Sequence, residues 1–380
     1  MSFLPYSCQS VDEEDIQTVI NTLRSPYLTQ GPKVKEFEEA LCEFTGAKYA
    51  VAVSNGTAAL HLAMLACKTN NTHNVITTPN TFVATSNSAL YCGSKVLFAD
   101  IDNKTGNIDP NNIVKLISKD TRVIIPVHFA GQSCNMKKIH RIAEEFDTKI
   151  IEDGSHALGG SYNGKPIGNC EFSDMCTFSF HPVKPIATGE GGAITTNDKE
   201  LYDKLVMLRS HGITKEESKL KDNEGPWYYE MQLLGYNYRL TDIQAALGIS
   251  QLKKLKTFTQ KRQHIAGIYN KEFNNIDGVN ILDTKTDESS YHLYVTSIDY
   301  QMIGKTRQEV MQELKEKGIG SQVHYIPVYK QPYYKQLGYK QKHFPNCEEY
   351  YSKALSIPIF PKMSETDIKT VVSAIKCLKD

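Results

Sequence analysis

Lys184 stands in Ser179-Phe180-His181-Pro182-Val183-Lys184-Pro185, and Gly189-Glu190-Gly191-Gly192 follows it. The prolines stiffen the chain on both sides of the lysine, and the glycines let backbone come close to a ligand. Most lysines are solvated surface charges. One fixed in a stiff loop between two apolar strand candidates is placed to use its amine as a nucleophile, and an amine that adds to a carbonyl gives a Schiff base. Asp153 stands 31 residues earlier, at the end of the apolar run Ile150-Ile151-Glu152. The carboxyl edge of a sheet is where α/β proteins bind ligands. An anion there can keep a heteroaromatic nitrogen protonated. His156 follows three positions later and could hydrogen-bond a neighbouring oxygen. Read alone, Asp153 is as readily a helix cap and His156 a structural histidine. As metal ligands the two lack a third partner, so no metal site is expected.

A third segment, Ser54-Asn55-Gly56-Thr57-Ala58-Ala59-Leu60, reads as a strand end turning into a helix start. Unpaired amides and the helix dipole suit such a turn to a phosphate, with the Thr57 hydroxyl as a further donor. Ser179, five residues before Lys184, could add another. Among aldehydes that a lysine amine captures, pyridoxal 5′-phosphate is the commonest, and it carries both a phosphate and a pyridine nitrogen.

Short apolar runs at Tyr49–Val53, Val75–Thr78, Val96–Phe98, Val123–Val127, Ile150–Glu152, Met175–Phe178 and Ala193–Thr195 are the strand candidates that position these residues. Helical patterns at Thr57–Cys67 and Met136–Phe146 lie between some of them. Strand–helix alternation of this kind predicts an α/β fold with a mostly parallel sheet covered on both faces. Ser10-Val11-Asp12-Glu13 has the spacing of a capping box opening a helix to about Leu23, and Lys33–Phe44 reads as a second helix. From Thr241 a long helix runs to about Phe273, and a smaller α+β region follows. The expected division is a large domain over 1–255 and a small one over 256–380, with the N-terminal helices able to pack on the small one.

Lys plus Arg and Asp plus Glu both number 43 in 380 residues, so no global field favours nucleic acid or an anionic membrane. The nine cysteines are an odd number with no Cys-x-x-Cys pair, which points to free thiols in a reducing cytoplasm. No basic-then-apolar leader and no run of membrane-spanning length is seen, and the expectation is a cytoplasmic protein.

Taken in order, Glu152-Asp153-Gly154-Ser155-His156-Ala157, the Ser179–Lys184 segment with Gly189–Gly192, and Gly235-Tyr236-Asn237-Tyr238-Arg239-Leu240-Thr241 make the chain resemble the DegT/DnrJ/EryC1/StrS sugar aminotransferases over essentially its whole length. The resemblance implies the aspartate-aminotransferase-like fold type I of pyridoxal-phosphate enzymes. It implies that Lys184 binds the cofactor and shuttles the proton, and that Asp153 pairs with the pyridine nitrogen. It further implies that His156 contacts the phenolic oxygen and Phe82 stacks on the ring. Gly56, Thr57 and Ser179 would hold the phosphate, and Asn237 would reach the phosphate of a neighbouring subunit in a homodimer. Tyr6, the Pro26-Tyr27-Leu28-Thr29 loop and Gln322-Val323-His324-Tyr325 are similar to the nucleotide-sugar contacts of those family members that aminate C-4 of a UDP-linked 4-keto-sugar, with L-glutamate as amino donor. Gly56, Ser179 and Asn237 would also touch that substrate. Dehydratases on this fold carry a histidine in place of the lysine, so Lys184 argues against that reading. Intact Asp153, His156 and Lys184 argue against a catalytically silent regulatory protein.

Overall fold

The computed structural model describes residues 3–340 and 343–379. Seven strands form the central sheet: β1 (Tyr49–Val53), β2 (Asn74–Thr77), β3 (Lys95–Phe98), β4 (Thr121–Ile125), β5 (Lys149–Asp153), β6 (Met175–Ser179) and β7 (Gly192–Thr196). Their order across the sheet is β1-β7-β6-β5-β4-β2-β3. All neighbours run parallel except at β7, which is antiparallel to both β1 and β6. The mostly parallel sheet expected from the strand–helix alternation is therefore present, and each expected strand lies within a few residues of its predicted span.

Side chains alternate between the two faces along each strand, as a pleated strand requires. Val51 and Val53, Ile151, Met175 and Ile194 join one apolar core, with Ala59, Leu62 and Ala63 of α3 (Gly56–Ala66). Ala50 and Ala52, Cys176 and Ala193 enter a second core on the opposite face, with Phe37 and Leu41. Both faces are thus buried, which explains why the strands read as continuous apolar runs rather than as alternating ones.

Two helices precede the sheet, α1 (Glu13–Leu23) and α2 (Pro32–Thr45). The cap of α1 is a correction to the sequence reading. Asp12, not Ser10, caps it: its carboxylate accepts from the Asp15 amide at 3.1 Å, and Asp15 reciprocates on the Asp12 amide at 3.1 Å. An aspartate at the third helical position thus does what glutamate does in the usual box. The long helix α4 runs Asp242–Phe273, capped by Thr241 with Gln244. Its first half receives both N-terminal helices. Gly248 lies where a Cβ would stand 2.7 Å from the Phe37 ring, so α2 can approach closely there. From α1, the carboxylate of Asp15 accepts from Gln251 at 2.6 Å and pairs with Lys254 at 3.0 Å. The second half of α4 enters a separate core with Ile265, Tyr269 and Phe273. That core also holds a three-stranded antiparallel sheet of Val279–Ile281, Tyr294–Ile298 and Ala354–Ile357, and the helices Arg307–Glu316 and Glu365–Lys376. The single helix joins the two cores. No helix among the described residues is long and apolar enough to cross a membrane.

Candidate active site

The carboxyl ends of β5 and β6 and the turn into α3 open on one cavity of about 1010 Å³. Strand alternation decides which acidic residue of β5 reaches it. Glu152 points away and is held by His128 at 2.6 Å, together with the Ser173 hydroxyl. Asp153, the next residue, points into the cavity and is only 4% exposed. Two donors fix its carboxylate: the Thr85 hydroxyl at 2.7 Å on Oδ2 and the Ser155 amide at 3.1 Å on Oδ1. Thr85 in turn shares a hydrogen bond of 2.8 Å with Thr81.

Lys184 lines the same cavity. Its backbone amide closes a turn on the His181 carbonyl at 2.8 Å, a turn compatible with Pro182. Among the described residues no hydrogen bond or ion pair engages its Nζ. Desolvation by the cavity wall lowers its pKa to about 8, although the Asp153 charge pulls the other way. A lysine in that state loses its proton far more readily near physiological pH than a solvated lysine does.

At the start of α3, Asn55 caps the helix by accepting from the Ala58 amide at 2.8 Å. The amides of Gly56 and Thr57 find no protein acceptor among the described residues and open toward the cavity. Gly56 must be glycine for steric reasons: a Cβ there would meet the Ser179 Cβ at 2.8 Å. Gly56, Thr57 and Ser179 therefore meet at a strand end and a helix N-terminus on the cavity wall, an arrangement suited to an anion.

His156 is almost fully buried, 4% exposed. The Ala130 amide donates to its Nδ1 at 3.3 Å, and its Nε2 lies 2.9 Å from the Tyr325 hydroxyl. Burial, then the neighbouring Lys184 and His324, hold its pKa well below the usual value for histidine. Phe82 exposes 59% of its surface at the cavity, so it is a ring left bare rather than a core residue.

The segment from Gln322 to Tyr325 comes from the small sheet's side. Gln322 pairs with Ser356 through backbone bonds of 3.0 and 2.7 Å, which carries Gln322, Val323, His324 and Tyr325 to the cavity. His324 is held by the Ser356 hydroxyl at 2.8 Å, and burial lowers its pKa to about 3. Tyr6 packs on the His324 ring at 5.3 Å between centroids.

Two predicted groups are not brought in. The Pro26–Thr29 loop lies at the N-terminus of α4, where the Leu28 carbonyl accepts from the Asp242 amide at 3.0 Å. Asn237 is exposed and pairs with Ser210. Neither lines the cavity of its own chain. Conversely, sequence reasoning missed Thr85, His292, Tyr238 and Glu190, which do line it. For Thr85 a signal existed: Thr81 and Thr85 lie four apart at a helix start, the spacing that puts two hydroxyls on one face. His292 and Tyr238 arrive from elements distant in sequence, and nothing local announces them.

Residues 9–376 match the model of the DegT/DnrJ/EryC1/StrS aminotransferase family. The chain belongs to this family. A UDP-4-amino-4,6-dideoxy-N-acetyl-beta-L-altrosamine transaminase of Campylobacter jejuni is 42% identical over 374 residues, covering 97% of this chain and 95% of its own length. The spore coat polysaccharide biosynthesis protein SpsC of Bacillus subtilis is 42% identical over 377 residues, with 98% and 96% covered. The solved structure of Helicobacter pylori PseC, an aminotransferase involved in the biosynthesis of pseudoaminic acid, superimposes with a TM-score of 0.91 at 34% identity, covering 99% of both chains. The central sheet and its helices are those of fold type I. Aminotransferases of the family depend on pyridoxal 5′-phosphate. The residues present fit that group: an amine without a protein partner, a carboxylate fixed by two donors, and a cradle of free amides beside a glycine too crowded to carry a Cβ.

The depressed pKa of Lys184 has a direct consequence. In the protein without cofactor, acylation of Lys184 by an amine reagent should rise with pH to a half-maximal rate near pH 8, since only the neutral amine reacts. Peptide mapping of the labelled protein across a pH series measures this. A midpoint near that of surface lysines would contradict the desolvated setting.

Proposed function

We propose that this family member transfers an amino group from L-glutamate to C-4 of UDP-2-acetamido-2,6-dideoxy-beta-L-arabino-hexos-4-ulose. The product is UDP-4-amino-4,6-dideoxy-N-acetyl-beta-L-altrosamine, an intermediate for pseudaminic acid biosynthesis. The observation that carries the chemistry is the unpartnered Lys184 amine, its pKa lowered to about 8, in one cavity with Asp153. What supports the substrate is the resemblance to the Campylobacter jejuni transaminase over nearly the whole chain. The cavity, about 1010 Å³, also suits a cofactor and a sugar together.

When bound, the cofactor supplies an aldehyde and an electron-withdrawing ring. Lys184 provides the covalent anchor and, with a pKa near the working pH, takes and returns a proton at its Nζ. Asp153 offers its carboxylate, oriented by Thr85 and Ser155, to the ring nitrogen. The amides of Gly56 and Thr57 and the Ser179 hydroxyl hold the phosphate. Phe82 offers its bare face to the ring. Tyr6 and the Gln322–Tyr325 segment form the wall for the sugar.

The same reading makes the protein a homodimer with shared sites. Asn237 and the Pro26–Thr29 loop lie outside their own chain's cavity, and Tyr27, Leu28, Trp227, Met231 and Leu234 leave large apolar surfaces exposed nearby in sequence to these groups. A two-fold interface would cover such surfaces and bring both groups to the partner's cavity. A second reading rests on the equal identity to SpsC, and it makes the acceptor a different keto-sugar.

Incubation with glutamate and a panel of UDP- and dTDP-4-keto-sugars, with product identification by NMR, separates the two readings. The proposal expects amination at C-4 of the UDP-linked 2-acetamido-2,6-dideoxy sugar above all others. Preference for a dTDP-sugar would sink it. The shared site has its own check. Lys184→Ala and Asn237→Asp, each inactive alone, should recover toward half of wild-type activity per heterodimer when their subunits exchange. No recovery despite demonstrated exchange would place Asn237 outside the partner's site.

A further inference from the structure

Three buried histidines line the cavity: His156, His292 and His324. Two of them have partners. His156 bonds with the Ala130 amide and the Tyr325 hydroxyl, and His324 with the Ser356 hydroxyl. His292 makes no hydrogen bond among the described residues, and its Nδ1 is buried without a partner. Its ring stands 4.6 Å from that of His156 between centroids. Burial holds its pKa well below the usual value for histidine, and the charge of Lys184 acts in the same sense. The ring is therefore neutral and has one N–H to donate.

Arg262 of α4 is among the charges that act on His292. It is 2% exposed, and no carboxylate or carbonyl among the described residues pairs with it. Its Nε and Nη1 are buried without partners. Thr259 stands three residues earlier, on the same face of the helix, and its hydroxyl is buried and unpartnered too. That face presses on the turn that follows His156: a Cβ on Gly159 would stand 2.6 Å from the Thr259 Oγ1. Burial lowers the pKa of Arg262 only to about 10, so the guanidinium keeps its charge at neutral pH. A buried cation without a counter-ion raises the potential around it, and low dielectric strengthens the effect. The cavity beside His292 is where an anion can answer it.

A dicarboxylate amino donor needs such a place. Among the described residues that line the cavity there is no arginine, and the one lysine is Lys184, whose amine the cofactor reading already uses. We infer that His292 donates a hydrogen bond to a carboxylate of the bound amino donor, with Arg262 as the positioning residue whose charge favours the anion beside that ring. The inference rests on the reading of the protein as a glutamate-dependent aminotransferase and adds to it the recognition of the donor.

Two measurements on the holoenzyme test it. Calorimetric titration with glutarate, an unreactive dicarboxylate, reports binding without turnover. Rapid-mixing absorbance separates the half-reaction in which glutamate alone changes the cofactor's band from the one in which the keto-sugar restores it. His292→Phe keeps a ring and loses the donor, whereas His292→Gln keeps a donor. His292→Phe should weaken glutarate roughly tenfold or more, as the loss of a hydrogen bond to a charged group does. Its kcat/KM for glutamate should fall by a clearly larger factor than that for the keto-sugar, and His292→Gln should recover most of both losses. Arg262→Met should weaken glutarate as well without lowering the melting temperature, since it removes a buried charge that no protein group compensates. Unchanged glutarate affinity in His292→Phe, or equal losses in the two half-reactions, would overturn the inference. An Arg262→Met protein that melts lower and binds glutarate normally would make that arginine structural and overturn its part. A wild-type holoenzyme whose band glutamate does not change would overturn the donor reading itself, and this inference with it.

Discussion

Lys184 holds a primary amine against a wall that solvates it poorly, in one cavity with a carboxylate whose oxygens are both hydrogen-bonded. Everything else in the molecule can be read from what this pairing demands. The amine must be desolvated enough to lose its proton near neutral pH, and the buried carboxylate must find donors for its oxygens. Asp153 meets the second demand because two donors satisfy its oxygens, so burial does not leave the anion bare. Lys184 meets the first because no partner among the described residues competes for its amine, and burial lowers its pKa to about 8. Had a carboxylate bonded the lysine directly, the amine would have been locked in its charged form.

The sheet supplies the geometry. β5 and β6 end side by side, with Asp153 opposite Thr177, and Ser179 two residues further opposite Gly192 of β7. The antiparallel β7 returns the chain after the Lys184 loop and so fixes the length of that loop at both ends. The small sheet then closes the cavity from the other side, through the backbone pairing of Gln322 with Ser356. α4 spans both halves, and direct hydrogen bonds also tie them together: the Tyr325 amide donates to the Asn80 side chain at 3.3 Å and the Ser290 hydroxyl to the His156 carbonyl at 2.7 Å.

How much of this was legible in the sequence follows from how local each signal is. The stiff, proline-flanked setting of Lys184 and the apolar run that ends at Asp153 are local, and both residues stand in the cavity as expected. The strand set and the long helix were legible for the same reason. The cap of α1 was misread because Ser10 and Asp12 both offer a capping side chain, and only the backbone's entry angle chooses between them. Thr85 was missed although its spacing from Thr81 was a local signal, whereas His292 and Tyr238 reach the cavity only after distant parts of the chain fold together. The contact of His156 with Tyr325 was beyond any sequence reading, since the two residues lie 169 positions apart. Asn237 and the Pro26–Thr29 loop mark another limit: a single chain leaves both outside its own cavity.

The account stands on Lys184 as the residue that holds the cofactor. Borohydride reduction of the holoenzyme, followed by proteolysis and mass mapping, tests this most directly. The pyridoxyl group should appear on Lys184 and on no other lysine. A pyridoxyl group found on a different lysine, with Lys184 unmodified in a fully occupied enzyme, would contradict the assignment and the chemistry built on it.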